Sequence, residues 1–102
     1  MESKVRDDCY VVTAGWMRNK LNLKNNELTI YAIIYGFSQS GEDEFTGGLQ
    51  YLADWCGCTK QGVLKCLKSL IEKDYIIKTE LFKNDVKYCT YKVNFNIIKQ
   101  LL

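Results

Sequence analysis

The stretch Leu52-Ala53-Asp54-Trp55-Cys56-Gly57-Cys58-Thr59-Lys60-Gln61-Gly62-Val63-Leu64-Lys65-Cys66-Leu67-Lys68-Ser69-Leu70 decides how this chain folds. Gly57 stops one helix where a left-handed residue is needed, and Thr59 opens the next by offering its side-chain oxygen to an orphan backbone N–H. The helix before the turn runs from Leu49 to Cys56, with Leu49, Leu52, Ala53 and Cys56 on one face. Ala53 is small because the two helices cross closely there, and Cys58 plugs the core beneath the turn. The helix after the turn runs from Thr59 to about Lys73. With Val63 at 0°, Leu67, Leu70, Ile71, Leu64 and Cys66 project between roughly 300° and 100°, while Gln61, Lys65, Lys68 and Glu72 project between roughly 140° and 200°. One side is therefore held down and the other presented outward.

Upstream, Asn25 or Asn26 can cap a helix that carries apolar residues all round. Leu28, Tyr31, Ala32 and Tyr35 cover one side, and Ile30, Ile33, Ile34 and Phe37 the other. Such a helix is buried all round, either at the centre of a domain or partly against a second subunit. Ser38 to Glu44, with Gly41, reads as a loop. Phe45 and Thr46 supply a one-rung strand, Thr46 also capping the helix that follows. Nearer the start, residues 1–8 are polar and read as a flexible end. Cys9 to Thr13 is a β-prone run ended by Gly15, and Trp16 to Leu21 is a helical turn or an apolar arm. After Tyr75 the period changes to two, predicting strands over Ile76–Phe82 and Lys87–Phe95 around an Asn84-Asp85 turn. Asp74, just before them, tolerates the left-handed region. Residues 96–102 begin a further helix.

Helix, short turn, helix and hairpin is the order of a winged helix-turn-helix. The expected fold is mainly α with a small β-hairpin (α+β): a three-helix core plus a two- or three-stranded wing sheet, one domain with its core at about residues 24–95. An α-helix fits the major groove of B-DNA, and a hairpin can reach the adjacent backbone or minor groove. The run Phe45-Thr46-Gly47-Gly48-Leu49-Gln50-Tyr51-Leu52-Ala53-Asp54-Trp55-Cys56-Gly57-Cys58-Thr59, with Val63, Leu67 and Leu70 after it and Ile34-Tyr35-Gly36-Phe37-Ser38 before it, resembles the N-terminal domain of phage and plasmid replication initiators. These include replisome organisers and DnaD-like primosomal proteins of Gram-positive bacteria. The resemblance implies binding to an origin or to single-stranded DNA, self-association and often a further C-terminal domain.

The candidate DNA contacts are Thr59, Lys60, Gln61, Lys65 and Lys68 on the helix after the turn, with Lys83, Asn84 and Lys87 on the hairpin. Lysines neutralise phosphates, and a Gln amide can read adenine. Arg6 and Arg18 lie outside that helix, so bidentate guanine readout is not expected. Gly62 stands where readers of DNA more often carry a basic residue; it either lets a backbone approach or marks few base contacts. Net charge over the 102 residues is only +2, yet residues 1–57 sum to −3 and residues 59–92 to +4. Affinity per copy should therefore be modest.

Composition removes other classes. There is no histidine, no proline and no Gly-rich phosphate loop, so neither an enzyme nor a cofactor is expected. Glu42-Asp43-Glu44 reads as solvated charge. Cys56-Gly57-Cys58 has a one-residue spacing, and its thiols read as small hydrophobes, not metal ligands or redox sensors. The five cysteines are an odd count that suits a reducing cytoplasm. No apolar run approaches the ~18 residues of a membrane span. The expectation is a DNA-binding domain of a phage, plasmid or bacterial replication initiation protein. Its partner is duplex DNA, with single-stranded DNA as a second ligand. A transcriptional regulator, or an oligomerisation module without DNA binding, is the alternative. A homodimer through the Leu28–Phe37 helix or the terminal segments stays open.

Overall fold

The computed structural model describes residues 7–8, 10–38, 45 and 48–101. Expectations for Cys9, for Thr46 as a cap, for the loop from residue 39 to Glu44 and for residues 1–6 lie outside the described residues. In chain order the elements are α1 Gly15–Asn19, α2 Asn25–Ser38, α3 Leu49–Cys56, α4 Lys60–Glu72, β1 Ile76–Lys83, β2 Val86–Val93 and α5 Phe95–Leu101.

Helix α2 is the axle. It packs against α1, α3, α4 and β2, and Ile30, Tyr31, Ala32, Ile33 and Ile34 are all buried. Its all-round apolar pattern is thus consumed largely inside one copy. Phe37 is the exception, 47% exposed with its ring 5.2 Å from that of Phe45. The helix boundary falls one residue earlier than the Asn25/Asn26 cap expected. Its first bond runs from the Leu28 N–H to the Lys24 carbonyl at 3.3 Å, and Asn25 is the first helical residue, at a left-handed φ of 57° that Asn tolerates.

The residues before α2 correct the β-prone reading. Tyr10 to Ala14 forms no strand, and Gly15 opens α1 instead of closing a run. The only sheet among the described residues is built of β1 and β2, which leaves this segment no partner strand. Met17, Leu21 and Leu23 carry it onto the core by burial instead.

The hairpin is antiparallel, with Ile76 opposite Val93 and Lys83 opposite Val86. Asn84 and Asp85 both have positive φ, 53° and 64°, the condition for a two-residue turn whose twist matches the strands. Phe95 was expected to end β2 but begins α5, because Asn94 closes the hairpin: its N–H donates to the Tyr75 carbonyl at 2.9 Å. The second edge of β2 is satisfied from the body. Phe45 forms the expected single rung, exchanging two backbone bonds with Tyr91. Two residues on, the Val93 N–H donates to the Ser38 hydroxyl at 3.2 Å, and that hydroxyl donates to the Ile34 carbonyl at 2.8 Å. Ser38, expected in a loop, is the buried last residue of α2. It fixes the base of the hairpin to the central helix.

Candidate nucleic-acid interface

The turn between α3 and α4 forms as its residues dictate. Gly57 has φ 64°, ψ 34°, and the Cys58 N–H donates back to the Ala53 carbonyl at 3.1 Å. Leu52 and Ala53 are buried on the near side of the turn, Val63, Leu67 and Leu70 on the far side. The Gly62 N–H donates to Thr59 Oγ1 at 3.1 Å, one of the four amides that a helix start leaves without a partner. Helix α3 has Gly48 at its cap position, which offers no side-chain oxygen. At the other end of α4, Asp74 sits at φ 63°. The Asp74 and Tyr75 N–H groups return to the Ile71 and Leu70 carbonyls, each at 3.0 Å, a Schellman closure that turns the chain sharply into the hairpin. Lys73 Nζ donates to Glu27 at 2.8 Å, tying that corner to α2.

Thr59, Lys60, Gln61, Lys65 and Lys68 are all exposed, and Lys83, Asn84 and Lys87 are exposed at the hairpin tip. Gln61, Lys65 and Lys68 share the outward sector of α4 with exposed Glu72, whereas Thr59 caps the helix and Lys60 opens it on the Val63 side. The structure therefore gathers Gln61, Lys65 and Lys68 on one sector, sets Thr59 and Lys60 at the helix start, and divides the three wing residues. Side chains alternate across a strand pair, and Lys83 lies opposite Val86 while Phe82 lies opposite Lys87. Lys83 and Lys87 thus point to opposite faces. Lys87 is moreover engaged, 3.1 Å from Glu80, which Lys78 also approaches at 3.5 Å. Hydrogen bonding and charge from Lys87, then from Lys78, hold the Glu80 carboxyl below its ordinary range. Among the described residues no ion pair engages Lys60, Lys65, Lys68 or Lys83. These four are the candidate contact lysines left free among the described residues.

Leu64 corrects the helix projection. It was placed at the edge of the buried face, yet it is 48% exposed. The hairpin leans over α4 without covering it, leaving a groove of about 330 Å³ whose lining combines apolar Leu64, Ile71 and Tyr91 with charged Lys68, Glu72 and Lys78. A wheel shows which residues share a face but not how far the next element overhangs. Cys56, Cys58, Cys66 and Cys89 are half-buried: burial pushes the Cys56 thiol up to about 11 and the Cys66 thiol in the same direction. Both are therefore neutral at physiological pH. Among the described residues no three metal-ligating side chains converge. No helix there is long and apolar enough to cross a membrane.

A capped helix presented outward beside a projecting two-stranded wing defines a winged helix-turn-helix module. The chain belongs to the helix-turn-helix domain family, whose model matches residues 21–76. No curated protein sequence matches it. Among solved structures it is similar to a possible transcriptional regulator from Methanosarcina mazei Go1. The TM-score is 0.58 at 17% identity, over 83% of this chain and 68% of that one. At that identity the likeness concerns the fold.

Proposed function

We propose that this protein is a non-enzymatic, cytoplasmic winged-helix transcriptional regulator that binds duplex DNA, with α4 in the major groove and the hairpin reaching the neighbouring backbone. The observation that carries the binding reading is the outward sector of α4. Gln61, Lys65 and Lys68 are exposed there beside Glu72, with Lys60 exposed at the helix start, on a helix whose opposite face is locked by Val63, Leu67 and Leu70. No ion pair engages these lysines among the described residues. Three free lysines on a rigid, protruding helix, with Lys83 on the wing, match the charge and width of a DNA groove better than a solvated helix face requires.

Regulation of transcription is preferred to replication initiation because the similar solved structure is described as a possible transcriptional regulator. The replication reading rests on the sequence resemblance alone. Selection of genomic fragments by the purified chain separates the two. Enrichment of promoter-proximal fragments is the expected result. Enrichment of a replication origin, or of single strands over duplexes, overturns the regulatory assignment.

A further inference from the structure

Phe82 is 74% exposed, one residue from Lys83, the last of β1, and no aromatic ring pairs with it among the described residues. An aromatic side chain left in water at the end of a rigid projection stays unburied until something covers it. Its position narrows what that is. In the strand register Ile76, Lys78, Glu80 and Phe82 share one face with Lys87, Cys89, Tyr91 and Val93. The inner part of this face, Ile76, Tyr91 and Val93, is buried against the body. Lys78 and Tyr91 then line the groove beside Leu64 and Lys68 of α4. Phe82 therefore lies on the side of the wing that turns toward the outward sector of α4, about 13 Å beyond Lys78 at the rise of an extended strand.

We propose that Phe82 is a wedge that enters the minor groove and partly unstacks a base step there, while α4 occupies the adjoining major groove. The inference rests on the duplex-binding reading above and adds a second, apolar mode of contact to it. Charge fits the assignment. Across the hairpin Lys78, Lys83, Lys87 and Lys92 stand against Glu80 and Asp85, a balance of +2. The one acid on the wedge face, Glu80, is clamped between Lys78 and Lys87 and so repels phosphate weakly. Apolar wedges at this kind of position open base steps and kink the duplex.

The test uses the full chain and a roughly 30-base-pair duplex carrying 2-aminopurine at a central TA step, the kind that unstacks most easily. Anisotropy reads binding and 2-aminopurine fluorescence reads unstacking, each at saturation. Wild type should bind and raise the fluorescence. Phe82→Ala should bind about tenfold more weakly and, once saturated, raise it hardly at all, with the salt dependence unchanged. Lys83→Ala should weaken binding yet keep the full fluorescence rise. Phe82 is exposed, so thermal melts should match wild type for the Ala variant. Binding by wild type without a rise, or an equal rise from Phe82→Ala, overturns the wedge and leaves duplex binding standing. Absence of binding by wild type overturns both.

Discussion

Replacing Ser38 by Ala tests the joint that aims the wing. The hydroxyl is buried, accepts from the Val93 N–H at 3.2 Å and donates to the Ile34 carbonyl at 2.8 Å. The substitution removes one oxygen, so the void left is small and the cost is polar. The Ile34 carbonyl can still receive its helical bond, but the Val93 N–H faces away from β1 and is left without an acceptor. Stranding one buried donor costs about 1–3 kcal/mol. Taking about 2 kcal/mol, and about 4–8 °C per kcal/mol for a chain of this size, the melting temperature should fall by roughly 8–16 °C. Calorimetry of the two proteins measures the shift, and hydrogen exchange should show the Val93 amide losing protection first. A fall under about 2 °C with Val93 still protected would refute the argument, since the edge of β2 would then be held by something other than Ser38.

Three further outcomes follow from particular atoms. Gly62→Ala should raise stability by about 0.5–1 kcal/mol in a urea titration, because an added Cβ meets Cys58 Sγ at 3.5 Å, Thr59 Oγ1 at 3.6 Å and Cys58 Cβ at 3.7 Å, all ordinary contacts. A concurrent loss of duplex affinity would assign the glycine to close approach of the DNA backbone. Tyr31→Phe should stabilise the fold by about 1 kcal/mol, since the hydroxyl is buried with no hydrogen-bond partner among the described residues; a destabilised variant would reveal a partner. Alkaline titration should weaken the fold. Burial moves Cys56 from 9.0 to about 11, so the native state holds that proton more tightly than the unfolded chain, and stability falls as pH rises from about 9 through about 11. Tyr31, also raised by burial, acts in the same sense at higher pH. A urea midpoint that stays flat across this range contradicts the burial of Cys56.

Much of the module was legible because its decisive residues act locally. Gly57 must stop a helix and Thr59 must start one wherever they occur together, and the Asn84-Asp85 pair must turn a hairpin. What escaped depended on packing between distant segments. Ser38 carries no local sign that its hydroxyl will serve an amide 55 residues later. Leu64 looked like a core residue because periodicity carries no information about the reach of the hairpin. The run from Tyr10 to Thr13 has strand composition, yet composition cannot supply a partner edge. The separation of Lys83 from Lys87 was readable in principle. Once the turn is fixed at residues 84–85, alternation assigns every hairpin side chain to a face.

The central claim is that α4 meets DNA through its free lysines. Its most direct test is the salt dependence of duplex affinity for wild type and for Lys65→Glu/Lys68→Glu, both changes being on exposed positions that leave the core intact. Four free cations, Lys60, Lys65 and Lys68 of α4 with Lys83 of the wing, predict a slope of log Kobs against log salt of about −3.6 for wild type. Reversing two of them should abolish measurable binding at a salt concentration where wild type is saturated, with the melting curve preserved. A folded double variant that binds with wild-type affinity and slope would contradict the assignment of α4 as the DNA-contacting helix.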